Sequence, residues 1–155
     1  MSDDDKRRLI RELVHDRLSA LVLFARQWKH SCAEDVVQDA FLKLYRQDPI
    51  PAEPLAWLFA VIRNDSNNLV RSQKRRQKRE RRRPLFHSSD EPDSAETEGL
   101  QEALQSLPQE FREIITAKIW GGLSFDQIAA IYGLSRSAAH RKYHEGIELL
   151  RKRMC

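Results

Sequence analysis

Apolar side chains recur at helical spacing along most of this chain. Leu9, Ile10, Leu13, Val14, Leu18, Leu21, Val22, Ala25 and Trp28 form one stripe and predict an amphipathic helix over residues 6–30. Asp3, Asp4 and Asp5 precede it, where negative charge favours a helix N-terminus. His30-Ser31-Cys32 breaks the pattern. It resumes over residues 33–47, with Val36, Val37, Ala40, Phe41 and Leu44 inward and Glu34, Asp35, Gln38, Asp39, Lys43 and Arg46 outward. Asp35 and Asp39, four apart, make an acidic ridge. Pro49, Pro51 and Pro54 lack amide donors and restrict the residues before them, so 48–54 is a stiff loop. A third helix opens near Pro54 and carries Leu55, Leu58, Phe59 and Ile62, then Leu69 and Val70, with the polar quartet Asp65-Ser66-Asn67-Asn68 interrupting the stripe.

After Pro84 the composition changes. Residues 87–99 are acidic and polar and hold no Lys or Arg, the composition of a flexible linker. Apolar periodicity returns at Leu100 and Leu104. Leu107-Pro108 restarts a helix with Phe111, Ile114, Ile115, Ile119 and Trp120, which should pack across the back of the two helices after it. Ser124 is a cap with Gln127 at the capping-box position, and Gly133 supplies a left-handed end. Ser135 caps the last helix. Phe125, Ile128, Ala129 and Ile131 face one way on the first of this pair, and Ala139, Tyr143, Ile147 and Leu150 on the second. Arg136, Ser137, His140, Arg141, Lys142 and His144 remain as hydrogen-bonding groups. This is the layout of a helix-turn-helix whose second helix enters a DNA major groove.

The expected fold is therefore all-α: two small helical domains, residues 1–83 and 103–155, joined by a flexible acidic linker over 84–102. Charge supports the division. Residues 1–83 hold 19 Lys+Arg against 12 Asp+Glu, and residues 84–155 hold 8 against 11, so a net charge of +4 conceals a local polycation. Its centre is Arg71, Lys74, Arg75, Arg76, Lys78, Arg79, Arg81, Arg82 and Arg83, opposed only by Glu80. Because this run continues an amphipathic helix bearing amides, it reads as a phosphate-contacting surface, with Arg63, Asn64, Asn67 and Asn68 placed to approach bases.

Two cysteines, Cys32 and Cys155, are too few for a disulfide framework or a zinc site and suit a reducing compartment. No apolar run is long enough to span a membrane, so membrane insertion is not expected. The acidic start is unlike a signal peptide, and a cytoplasmic location is expected. His140 and His144 stand one turn apart, but no third ligand lies near them in sequence, and neither a metal nor any other cofactor is expected. The chain contains no nucleophile–base pair or glycine-rich phosphate loop, which argues against an enzyme.

Taken in order, three stretches resemble the extracytoplasmic-function (ECF) group of bacterial sigma-70 factors. They are Ala33-Glu-Asp-Val-Val-Gln-Asp-Ala-Phe-Leu-Lys-Leu-Tyr-Arg46, Ala56-Trp-Leu-Phe-Ala-Val-Ile-Arg-Asn64 continued by Asn68-Leu-Val-Arg71, and Leu107-Pro-Gln-Glu-Phe-Arg-Glu-Ile-Ile115 joined to the helix-turn-helix. The resemblance implies binding to core RNA polymerase through Glu34, Asp35, Gln38, Asp39, Lys43 and Arg46. It implies that Arg63, Asn64, Asn67, Asn68, Arg71, Lys74, Arg75 and Arg76, with the proline loop, face the minus-ten promoter element. Strand opening there exposes bases that amides and a loop pocket can hold. Arg136, Ser137, His140, Arg141, Lys142 and His144 would face the minus-thirty-five element, although Ala138-Ala-His-Arg-Lys-Tyr143 departs from the Thr-Val-Lys-Ser-Arg-Leu-like run more usual there. An anti-sigma protein is a further partner the family suggests. Two other readings stand beside this one: a stand-alone helix-turn-helix regulator with an N-terminal dimerisation or partner domain, and an arginine-rich RNA-binding adaptor.

Overall fold

The computed structural model describes residues 2–79 and 95–154. They form seven α-helices and one 3-10 turn: α1 Asp3–Ala25, the turn Arg26–Trp28, α2 Ala33–Tyr45, α3 Pro54–Arg79, α4 Ala95–Gln105, α5 Gln109–Ile119, α6 Phe125–Tyr132 and α7 Arg136–Met154. No strand occurs among the described residues. The chain divides into two compact units, Met1–Leu85 and Phe86–Cys155. α4 begins at Ala95, inside the span 84–102 read as linker, so the C-terminal part of that span is helical. The Leu100 and Leu104 periodicity belongs to this helix, and Leu104 is buried. The rest of the expected linker, 84–94, lies outside the described residues, as do Arg81, Arg82 and Arg83.

The first unit is a three-helix bundle. Ser2 caps α1 in a capping box, its hydroxyl accepting from the Asp5 amide at 3.2 Å. Hydrogen bonding to the Asp5 carboxyl itself, from the Ser2 side chain and then from the Ser2 amide, holds it below the usual carboxylate range. The expected 6–30 helix ends sooner: α1 tightens into the 3-10 turn and stops at Lys29, whose φ of 56° is left-handed. Its core gathers Leu21, Phe24, Val37, Leu44, Leu58, Phe59 and Ile62, all fully buried. Phe24 sits edge-on to both Trp28 and Phe59, with centroids 5.0 and 4.8 Å away. Pro54 is the first residue of α3, where its missing amide is no loss. The helix then runs unbroken through the polar quartet.

In the second unit α5 lies against both α6 and α7. Ala103, Leu104, Leu107, Ile115 and Leu150 form a buried cluster, with Phe111, Trp120, Tyr143 and Ile147 packed on it. Gly146 lets α5 approach α7 closely, since a Cβ there would stand 3.0 Å from Ile115 Cδ1 and 3.1 Å from Phe111 Cδ1. Glu113, buried on α5, accepts from the Tyr132 hydroxyl at 2.7 Å and from Gln109 Nε2 at 3.0 Å. Arg112, also buried, donates to the Leu107 carbonyl at 2.8 Å.

Candidate nucleic-acid interface

The α3 surface follows from helical spacing. Asn64, Asn68, Arg71 and Arg75 recur at i, i+4, i+7 and i+11, and all four are exposed, as are Lys74 and Arg76. From Asn64 to Arg75 this row runs about 16 Å along the axis, at about 1.5 Å per residue. Amides occupy its N-terminal end and guanidinium groups its C-terminal end. Such a row offers hydrogen bonds to bases at one end and charge to phosphates at the other. Arg63 is half-buried beside it.

Two groups of the polar quartet turn inward. Ser66 is fully buried and its hydroxyl lies 3.2 Å from His30 Nε2. His30 Nδ1 accepts from the Cys32 amide, which leaves Nε2 as the donor to Ser66. Burial lowers the His30 pKa, consistent with a neutral ring. Asn67 Oδ1 accepts from Trp28 Nε1 at 2.7 Å. Asn67, expected to reach bases, is therefore tied to the α1–α2 junction and stands apart from the exposed row. A buried indole needs a partner for its N–H, and 39 residues of sequence separate the two.

On α2, Glu34, Asp35, Gln38, Asp39 and Arg46 are exposed, while Lys43 is half-buried. Lys43 Nζ lies 2.7 Å from Asp65 Oδ2 on α3 and 3.3 Å from Asp39 Oδ2. The hydrogen bond to Asp65 raises the Lys43 pKa, and Asp39 adds to the effect. The residue expected to reach a protein partner thus also crosslinks α2 to α3. A groove of about 450 Å³ lies alongside, lined by Cys32, Asp35, Asp39, Lys43, Asp65 and Asn68 among others. The sequence reading missed Leu42 and Tyr45, which are 50% and 38% exposed. Their position was readable: Leu42 lies four residues after Gln38 and three after Asp39, on the outward stripe.

The helix-turn-helix has the expected ends. Ser124 Oγ accepts from the Gln127 amide at 3.1 Å and the Ser124 amide donates to Gln127 Oε1 at 2.9 Å. Gly133 has φ 65°, and Ser135 Oγ accepts from the Ala138 amide at 3.1 Å. Arg136, Ser137, His140, Arg141 and His144 are exposed on the first turns of α7. Lys142 departs from that group: it is half-buried and pairs with Glu110 on α5 at 2.7 Å. The face opposite, with Ala139, Gly146 and Leu150, is buried.

Comparison with known proteins accords with this geometry. Residues 9–76 match Sigma-70 region 2 and residues 103–152 match Sigma-70, region 4. RNA polymerase sigma factor CarQ of Myxococcus xanthus is 30% identical over 128 residues, covering 77% of this chain and 73% of its relative. The ECF sigma factor RpoE of Cereibacter sphaeroides is 27% identical over 131 residues, covering 79% and 70%. Among solved structures, the sigma factor RpoE of Bartonella quintana, in complex with the anti-sigma factor NepR, superposes with a TM-score of 0.74 at 26% identity, covering 96% of this chain and 97% of its own. The chain belongs to the ECF group of the sigma-70 family. It is a promoter-recognition factor that works with RNA polymerase, and it is not an enzyme. No helix among the described residues is long and apolar enough to cross a membrane.

Proposed function

We propose that the two units are separate promoter readers joined through residues 84–94, held in register by core RNA polymerase in the cytoplasm. The exposed stripe of α2, Glu34, Asp35, Gln38, Asp39, Leu42, Tyr45 and Arg46, docks on polymerase, its carboxylates giving charge complementarity and its two apolar side chains the contact area. Asn64 and Asn68 contact bases of the opened minus-ten element while Arg71, Lys74, Arg75 and Arg76 neutralise the adjoining phosphates. Arg136, Ser137, His140, Arg141 and His144 face the minus-thirty-five element. The Bartonella quintana relative was solved with an anti-sigma protein, and we extend a partner of that kind to this chain.

The observation that carries this reading is the exposed amide-to-guanidinium row on α3, set on an unbroken helix whose opposite side is the core. The stand-alone regulator has no use for such a row, because a protein that never opens DNA meets no unstacked bases. Run-off transcription with core polymerase on a genomic library tests the assignment. The wild-type chain is expected to create new start sites. An Asn64→Ala, Asn68→Ala double variant is expected to bind polymerase normally and lose at least tenfold in transcript from them. Undiminished transcript from that variant would remove the base-contact role.

A further inference from the structure

The strongest unassigned feature is a pair of imidazoles on α7. His140 and His144 are both exposed, and their Nε2 atoms stand 3.1 Å apart with ring centroids at 4.2 Å. At this separation one ring donates its Nε2–H and the other accepts. The same separation suits a chelate. An ion about 2.0–2.1 Å from each nitrogen would subtend an N–metal–N angle of roughly 95–100°. That is near the right angle of tetragonal ions and narrower than a tetrahedral site requires, and imidazole is a preferred ligand of those ions.

Neighbouring rings fix the pair. Phe125 lies edge-on to His140 at 4.9 Å, Tyr143 edge-on to His144 at 5.3 Å, and Phe125 and Tyr143 contact each other at 5.6 Å. Lys118 Nζ lies over the Phe125 ring, 4.4 Å from its centroid. Orientations held in this way leave little side-chain entropy to be lost on binding. Among the described residues no group of three or more His, Cys, Asp or Glu could hold an ion. An ion held by the pair would therefore have two protein ligands, with water completing its coordination, and would exchange readily. Arg136, Arg141 and Lys118 oppose a cation there, while Glu145 and Glu148 favour it, with Glu148 partly engaged by Arg151 at 3.3 Å.

We propose that His140 and His144 form a bidentate site for a divalent transition-metal ion of the nickel or copper type, and that an ion held there competes with promoter reading by α7. On binding, the ring that donated moves its proton from Nε2 to Nδ1 through solvent. Both Nε2 lone pairs then face the ion, and two neutral rings release no net proton. Neither nitrogen remains free for a base edge. The competition rests on the assignment of α7 to the minus-thirty-five element; the site itself does not.

Ni²⁺ is the probe, because it prefers imidazole to the carboxylates elsewhere on the surface. The reduced full-length chain, stripped with a chelator, is titrated with Ni²⁺ by calorimetry at neutral to slightly alkaline pH. One site is expected whose affinity falls at least tenfold in His140→Gln and in His144→Gln and is unchanged in His15→Gln. Circular dichroism checks that the variants fold. A wild-type isotherm from either α7 variant would overturn the site. In a second arm, equimolar Ni²⁺ is expected to weaken promoter binding by wild-type holoenzyme at least threefold and to leave His144→Gln holoenzyme unaffected. Metal binding without that difference overturns the competition. A chain that binds Ni²⁺ through the pair yet directs no transcription overturns the promoter assignment and leaves the site standing.

Discussion

Trp28 and Asn67 offer a test that separates a structural amide from a DNA-reading one. Trp28→Phe keeps a ring against Phe24 but deletes the donor that lies 2.7 Å from Asn67 Oδ1. Losing that hydrogen bond costs about 1–1.5 kcal/mol, since half-buried Asn67 can recruit water. The smaller ring leaves roughly 40 Å³ unfilled, which adds about 1 kcal/mol at about 24 cal/mol per Å³. The expected total is about 2–2.5 kcal/mol from the first unit. Asn67→Ala orphans a buried indole N–H instead and should cost about 1–3 kcal/mol. Urea denaturation monitored by circular dichroism measures both variants and their combination. The double-mutant cycle should return a coupling of about 1 kcal/mol. Asn64→Ala and Asn68→Ala, exposed on the same helix, should leave stability within about 0.5 kcal/mol and lower transcription. A coupling near zero, or lowered transcription in Asn67→Ala with stability intact, would refute the structural role of this amide.

Three further outcomes are expected. His30 is held neutral, its folded pKa lowered by burial, so its contribution is complete above the ordinary value near 6.5 and is lost as pH falls from there through the depressed folded value; denaturation midpoints measured at neutral and mildly acidic pH should diverge, and His30→Gln should flatten the difference. Arg75→Ala and Arg76→Ala should each reduce the slope of log affinity against log salt by about 0.7–0.9 in holoenzyme–promoter titrations, as expected for one phosphate contact apiece. Gly133→Ala meets no steric obstacle but must hold φ at 65°, so thermal melts should show the second unit destabilised by about 1–2 kcal/mol. Gly133→Asn should cost less, because Asn tolerates the left-handed region.

Much of the molecule was legible because its elements are long, amphipathic and explicitly capped. The Ser124–Gln127 box and the Gly133 end could be read from residue types, since each depends on atoms within one turn of chain. Leu42 and Tyr45 were passed over for a different reason. Apolar residues were sought only on the inward stripe, whereas the 100° step places both of these on the outward side of α2. α4 was hidden inside an acidic segment because its first turns lack apolar residues, and only Leu104 and its neighbours reveal that it packs.

Sequence alone determined the all-helical class, the family and the outward position of the basic α3 row and the first turns of α7, because periodicity and capping are local. It did not determine which polar residues on those helices are spent internally. Asn67 on Trp28, Ser66 on His30, Lys43 on Asp65 and Lys142 on Glu110 are pairs brought together by packing, from 22 to 39 positions apart in the chain. The 3.1 Å approach of His140 and His144 is likewise set partly by Phe125, from another helix. A buried donor must find an acceptor wherever the fold supplies one, and that choice exists only once the helices have met.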